Sequence, residues 1–182
     1  MSGYYRREHA DLIDRTFPGA VKEIVEFRDE VTVVIDVERL VDIATFCRDT
    51  AGMEFNYLAD LSGVDYWPDA PRFHINYVLY SFQHNHLLRL KIIVGEGQTV
   101  PSVTAVWPGA NWPEREVYDM FGVPFEGHPD LRRILMPYDW TGHPLRKDYP
   151  VGYEEVEFTF NIERIEAKKP KGSPEPREIP AE

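Results

Sequence analysis

The residues best equipped for chemistry in this 182-residue chain are gathered between Asn111 and Pro150, in NWPEREVYDMFGVPFEGHPDLRRILMPYDWTGHPLRKDYP. Acids and arginines are paired there, His128-Pro129 and His143-Pro144 repeat a His-Pro step, and Trp112 and Trp140 are two of the chain's 4 tryptophans. Imidazole and carboxylate are the groups that metal binding or general acid–base catalysis needs, so His128, Asp130, His143 and Asp148 are the candidates for an enzyme centre. Against that reading, His-x-Asp and His-x4-Asp match no ligand spacing with a geometric basis. Each histidine also precedes a proline, which holds it in extended backbone and off a helix face. A second reading takes the stretch as a contact surface. Aromatic residues and arginines are favoured anchors of protein interfaces, and a backbone stiffened by proline loses little entropy when it docks. The second reading accounts for more of the composition.

Within the stretch, Asn111 followed by Pro113 and Glu114 is a helix-start pattern, Val117, Met120 and Phe121 share a face, and Gly122 is the stop. Glu114, Arg115 and Glu116 fall in the first turn. The exposed amides there favour the acids and disfavour Arg115, whose guanidinium therefore needs a carboxylate or carbonyl partner unless the turn is simply solvated. Further on, Asp130 is placed to cap a turn carrying Arg132 and Arg133. The segment Asp139, Trp140, His143, Pro144, Arg146, Lys147 and Asp148 repeats the arrangement of a stiffened histidine beside bases and acids.

The preceding residues read as the platform. A helix is expected over 5–16 with Ala10, Ile13 and Phe17 in register, stopped by Pro18-Gly19. A hairpin follows, with strands at 21–27 and 31–37 around a turn at 28–30. Asp36 is placed to cap a helix over 37–51, whose apolar side holds Leu40, Ile43, Ala44, Cys47 and Ala51, with Gly52 as the stop. Strands are expected at 55–61, 73–82 and 87–94, the last two joined by Gln83-His84-Asn85-His86. His84 and His86, in a polar tip without an acidic or cysteine neighbour, read as solvated and receive no role. The order predicts an α+β fold, a two-layer sandwich of helix, hairpin, helix and three strands in a mixed sheet, followed by an extended C-terminal arm. The expected divisions are an α+β domain at 1–110, the arm at 111–150, and a strand-like segment with a tail at 151–182. Val156, Phe158, Phe160 and Ile162 alternate with polar residues, so that segment should pair with a sheet edge, while the Pro-rich, charged end reads as an extended tail.

Composition excludes several classes. A net charge of −11 without a basic block argues against nucleic acid as a partner. Gly95-Glu96-Gly97 lacks the third glycine of a dinucleotide fingerprint, and Pro101 stands where its helix would begin. Cys47 is the single cysteine, so an internal disulfide and a four-thiolate iron–sulfur cluster carried by this chain alone are both excluded. It reads as a small buried hydrophobe. The first residues lack the apolar core of a signal peptide, and no run approaches the roughly 20 apolar residues of a membrane span, so work at a membrane would go through a partner.

The series Glu114-Arg115-Glu116-x-x-Asp119-Met120-Phe121-Gly122, then Phe125, His128-Pro129-Asp130-Leu131-Arg132-Arg133, then Asp139-Trp140-x-Gly142-His143-Pro144-Leu145-Arg146-Lys147-Asp148-Tyr149-Pro150, resembles the diagnostic stretch of the C-subunit family of NADH-quinone oxidoreductase. This is the 30-kilodalton-type subunit of respiratory complex I. The resemblance implies a non-catalytic peripheral-arm subunit at the cytoplasmic face of the cell membrane, or its organellar equivalent, within a proton-translocating NADH:quinone oxidoreductase. It implies packing against the D-type subunit that shapes the quinone chamber, with the B-type and I-type subunits as further neighbours. It also implies no catalytic, cofactor or metal residues in this chain, the FMN and iron–sulfur clusters being held elsewhere in the complex. The motif residues from Glu114 to Asp148 would then serve the partner interface. A membrane-bound hydrogenase or a ferredoxin- or F420-dependent quinone reductase has similar subunits and is the alternative.

Overall fold

The structure is a computed structural model and describes residues 4–149, 160 and 162–164. Helix α1 (Arg7–Thr16) leads into strands β1 (Val21–Phe27) and β2 (Glu30–Ile35), followed by a 3-10 turn at Val37–Arg39 and helix α2 (Leu40–Asp49). Strands β3 (Tyr57–Asp65), β4 (Phe73–Ser81) and β5 (His86–Val94) come next. The sheet order is β1-β2-β5-β4-β3, with β2 and β5 parallel and every other pair antiparallel. This is the expected α+β arrangement with a mixed sheet.

Alternation explains the layering. On β4 and β5 every second residue is buried, and Phe73, Ile75, Tyr77 and Leu79 face the helices beside Leu88, Leu90, Ile92 and Val94. Ala10 and Ile13 from α1 meet them, as do Leu40, Ile43, Ala44 and Cys47 from α2. Cys47 is fully buried, and that burial pushes its thiol pKa far up, which fits a packing role. At the β1–β2 turn, Arg28 and Asp29 have φ of 51° and 63°, the left-handed pair that matches the twist of a two-residue hairpin.

Several boundaries differ from expectation for identifiable reasons. Helix α1 begins at Arg7 because Tyr4 and Tyr5 are drawn to the sheet, where the Leu87 N–H donates to the Tyr4 carbonyl at 2.7 Å. Asp36 does not cap; its carboxylate holds Lys22 at 3.0 Å, and a 3-10 turn opens the helical region instead. Phe55 precedes its strand as a wholly buried residue whose carbonyl accepts the Trp107 indole N–H at 3.0 Å. His86 is buried and hydrogen-bonded to His9, and His84 to Glu54, so the reading of both histidines as solvated is corrected. Their partners lie far away in sequence, where local pattern carries no sign of them.

The core continues past residue 110. After a 3-10 turn at Pro108–Ala110, helix α3 (Asn111–Phe121) sends Val117, Met120 and Phe121 into it. Phe121 lies against Gly63 of β3, where a Cβ would stand 2.9 Å from the ring. Two short parallel strands, β6 (Val100–Pro101) and β7 (Phe125–Glu126), tie the chain on either side of α3 together. Most of the strand-like segment expected at 156–163, and all of the tail beyond 164, lie outside the described residues. Where that segment is described, residue 160 is in a turn and 162–164 are helical, so the strand does not extend there.

Candidate functional site

From Gly122 to Tyr149 the backbone is almost entirely irregular, yet most charged side chains of the motif are anchored within the chain. The anchors begin on α3. No side chain caps its start; Asn111 is the first helical residue rather than the cap. Its carbonyl faces Nε2 of His128 at 3.1 Å, while Nδ1 of His128 accepts the Asp130 N–H at 3.0 Å. An accepting Nδ1 makes Nε2 the protonated nitrogen of the neutral ring, so Nε2 donates to the carbonyl. The His128 side chain is fully buried although its backbone reaches the surface.

Glu114 is also fully buried and closes no capping box. One oxygen accepts the Val103 N–H and the other the Ser102 hydroxyl, both at 2.7 Å. Burial pushes its carboxyl pKa up, and those two bonds hold it back.

Of the partners open to Arg115, the structure supplies carbonyls. Its guanidinium donates to the Arg132 carbonyl at 2.9 Å and the Arg133 carbonyl at 3.1 Å, and lies over the Trp112 ring. One turn on, Asp119 is wholly buried, and a single carboxylate oxygen accepts three successive amides, those of Ile134, Leu135 and Met136, at 3.0, 2.8 and 2.8 Å. The other oxygen faces the Arg133 guanidinium at 3.3 Å, an ion pair without hydrogen-bond alignment. Arg133 then donates to the carbonyls of Trp140 and Gly142 at 2.9 and 2.5 Å. One α3 carboxylate thereby fixes an arm segment that lacks secondary structure of its own.

Gly122 ends α3 in the left-handed region, with φ 75°. The second His-Pro step folds back over it. Nδ1 of His143 donates to the Asp119 carbonyl at 2.9 Å, and a Cβ on Gly122 would stand 2.5 Å from the His143 ring. Burial lowers the His143 pKa. Arg146 donates to the Phe121 carbonyl at 2.6 Å and to Glu96 at 2.7 Å.

Two residues outside the stretch, missed from sequence, complete the clamp. Arg72 grips Asp65 through two bonds, at 2.9 and 2.6 Å, and Asp148 through two more, at 3.1 and 2.8 Å. The Lys147 N–H also donates to Asp65 at 2.8 Å. The Arg72 guanidinium, with backbone help, holds the nearly buried Asp65 carboxyl well below the usual carboxylate range. A carboxylate inside a strand and an arginine at the mouth of the next were the available signal, since such a pair across a turn needs a shared reason for burial.

Asp130 does not cap; its carboxylate holds the exposed Arg132 at 2.7 Å through both oxygens. Phe121 belongs to the core, while Glu116, Pro129, Asp139 and Lys147 are exposed and Pro144 is half-buried. The four residues of the enzyme reading are each engaged by other partners. Asp130 and Asp148 are engaged by Arg132 and Arg72, the histidines by backbone carbonyls, and among the described residues no group of three His, Cys, Asp or Glu could hold a metal ion. Beside its exposed charges the arm presents large apolar side chains: Trp112 and Tyr138 are 64% and 68% exposed, with Leu135, Trp140 and Leu145 also at the surface.

A profile of the family described as respiratory-chain NADH dehydrogenase, 30 Kd subunit, matches residues 33–155, which take in the end of β2, strands β3 to β5 and the whole arm. The chain belongs to that family. The NADH-quinone oxidoreductase C subunit of Roseiflexus sp. (strain RS-1) is 50% identical over 167 residues, covering 90% of this chain and 96% of the relative. The C subunit of Caulobacter vibrioides is 47% identical over 156 residues, covering 85% and 78%. Among solved structures, a trypsin-resistant fragment of Nqo5 is 34% identical with a TM-score of 0.54, covering 69% of this chain and 96% of the fragment. A chain of the membrane-bound sulfane sulfur reductase, an archaeal respiratory membrane complex, superposes with a TM-score of 0.65 at 19% identity, covering 95% and 98%, which shows a shared fold. As a member of the family the chain is a subunit of a multi-subunit respiratory complex, and among its described residues no helix is long and apolar enough to cross a membrane.

Proposed function

We propose that this chain is a non-catalytic peripheral-arm subunit of a proton-translocating NADH:quinone oxidoreductase at the cytoplasmic face of the membrane, and that its arm is the surface that grips the D-type, quinone-chamber subunit. One observation carries the reading. Glu114, Arg115, Asp119, Arg133, Arg146 and Asp148 are engaged inside the chain, while Trp112, Leu135, Tyr138, Trp140 and Leu145 are left at the surface. Large exposed apolar side chains on a backbone already held by hydrogen bonds are what a permanent partner covers at low entropic cost. The motif residues then divide by role. Glu114, Arg115, Asp119, His128, Arg133, His143 and Arg146 shape the arm, while Glu116, Arg132, Asp139 and Lys147 ring its apolar contacts. FMN, the iron–sulfur clusters and quinone chemistry reside in other subunits, with the B-type and I-type subunits as further neighbours. The contribution of this chain is positional, because a displacement of about 1 Å at a reacting centre can lower a rate by about a hundredfold.

The test is the pair Leu135→Asp and Tyr138→Asp, read on native gels with quinone titration. Less assembled complex with unchanged apparent quinone affinity in what does assemble supports the proposal; full assembly with altered quinone affinity contradicts it. The fold shared with the sulfane sulfur reductase chain keeps a related respiratory complex as the second reading. Co-purification of a flavin- and NADH-binding subunit with this chain separates the two.

A further inference from the structure

Three of the chain's 6 histidines meet at a place the arm does not use. His9 on α1 and His86 at the start of β5 are each 7% exposed, and Nε2 of the first lies 3.0 Å from Nδ1 of the second. The His9 ring stands edge-on to Phe55, and His84 stacks beside His86 while hydrogen-bonded to Glu54. The remaining charged groups near the pair are Arg6 and Glu8, both from the α1 end. Neither carboxylate in the neighbourhood bonds to either ring of the pair: Glu54 is engaged by His84, and Glu8 lies near Arg6.

We propose that the His9–His86 hydrogen bond is a proton-sensitive latch that docks helix α1 on the sheet when both rings are neutral and releases it when acid protonates them. A bond between two ring nitrogens needs one donor and one acceptor. A second proton leaves two N–H groups facing each other across 3.0 Å, and even one imidazolium there lacks a bonded counterion. Burial and the neighbouring ring push His9 down to about 4 and burial lowers His86. Folded pKa values below the ordinary one, near 6.5, give a defined sign: the docked state has full stability above about pH 6.5 and loses it as pH falls toward 4. Opening the latch would free the segment that also carries the Tyr5 bridge to β5 and the Ala10 and Ile13 contacts with the core.

Hydrogen exchange of the full chain between about pH 6.5 and 4.5, corrected for intrinsic rates, tests this, with α1 amides compared with those of β4. Release of the latch predicts that α1 loses about tenfold or more protection relative to β4. It also predicts that His9→Gln with His86→Asn, which keeps a neutral donor and acceptor at the same ring positions, abolishes the loss. Parallel decline of both elements in the wild type, or an unchanged loss in the double variant, overturns the proposal. Should the double variant not fold, imidazole NMR titration of the wild type decides. His9 or His86 protonating over the same pH range as α1 exposure supports the latch, and protonation about a unit or more away overturns it.

Discussion

Replacing Asp119 by alanine should unfasten the arm while leaving the sheet folded. One carboxylate oxygen accepts the amides of Ile134, Leu135 and Met136, the other pairs with Arg133, and Asp119 itself has no solvent exposure. Hydrogen bonds to a charged group contribute about 1.5–3 kcal/mol each, so three of them plus an ion pair would sum to more than any surface segment is held by. The measurable loss is capped, because freed amides and Arg133 can reach water by local opening. About 3 kcal/mol, or roughly a hundredfold in the opening equilibrium, is therefore the expected scale for Asp119→Ala. Asp119→Asn keeps one acceptor without charge and should lose about tenfold. Hydrogen exchange at residues 134–136 reads the effect directly, with β4 amides as reference. Unchanged protection at 134–136 in both variants would refute the claim that this carboxylate organises the arm, and equal loss in β4 would show instead that it supports the whole fold.

Gly122→Ala combines a positive φ with contacts of 2.5 Å to His143 and 2.7 Å to Arg146, so thermal unfolding should show a loss of about 1–3 kcal/mol. Arg72→Met strands Asp65 and frees Asp148, and a loss of about 3–5 kcal/mol is expected in urea unfolding at neutral pH. Because the folded Asp65 carboxyl lies below its unfolded pKa, its contribution is present above about pH 4 and fades as pH falls further. Asp65→Asn should therefore destabilise at pH 7 and converge with wild type in acid. Glu114→Gln has the opposite linkage: a raised carboxyl favours the neutral form, so its stabilising effect is full below about pH 4.5 and declines as pH rises. The amide keeps an acceptor for Val103, and the stability difference at pH 7 should stay within about 1 kcal/mol by denaturant titration.

The sheet was legible because its signals are local. Alternation along Val31, Val33 and Ile35, and the helical spacing of Leu40, Ile43, Ala44 and Cys47, name buried faces without reference to distant residues. Strand order was not legible, since the parallel joining of β2 to β5 depends on a crossover that passes α2, β3 and β4. In the arm, the place of Arg115 in a first turn leaves a carboxylate partner, a carbonyl partner or a solvated turn open, and the structure decides for two carbonyls. Capping roles for Asp36 and Asp130 failed because a short acid beside a turn serves equally well as an ion-pair partner, and Lys22 and Arg132 took that role. Asp65 and Arg72 were passed over because they lie in or beside strands, about eighty residues from the segment they clamp. Residue type marked the stretch as special, but long-range contacts decide which of its charges face inward.

Under the proposed function, an arm built in this way would meet its partner already shaped, with its exposed aromatic side chains as the part still to be covered. Photocrosslinking tests that claim most directly, with p-benzoylphenylalanine at position 138 in place of Tyr138, in cells that assemble the complex. A crosslink to the quinone-chamber subunit is expected, one that depends on an intact Asp119. Assembled complex that shows no crosslink at 138, while a water-soluble reagent still labels that position, would contradict it.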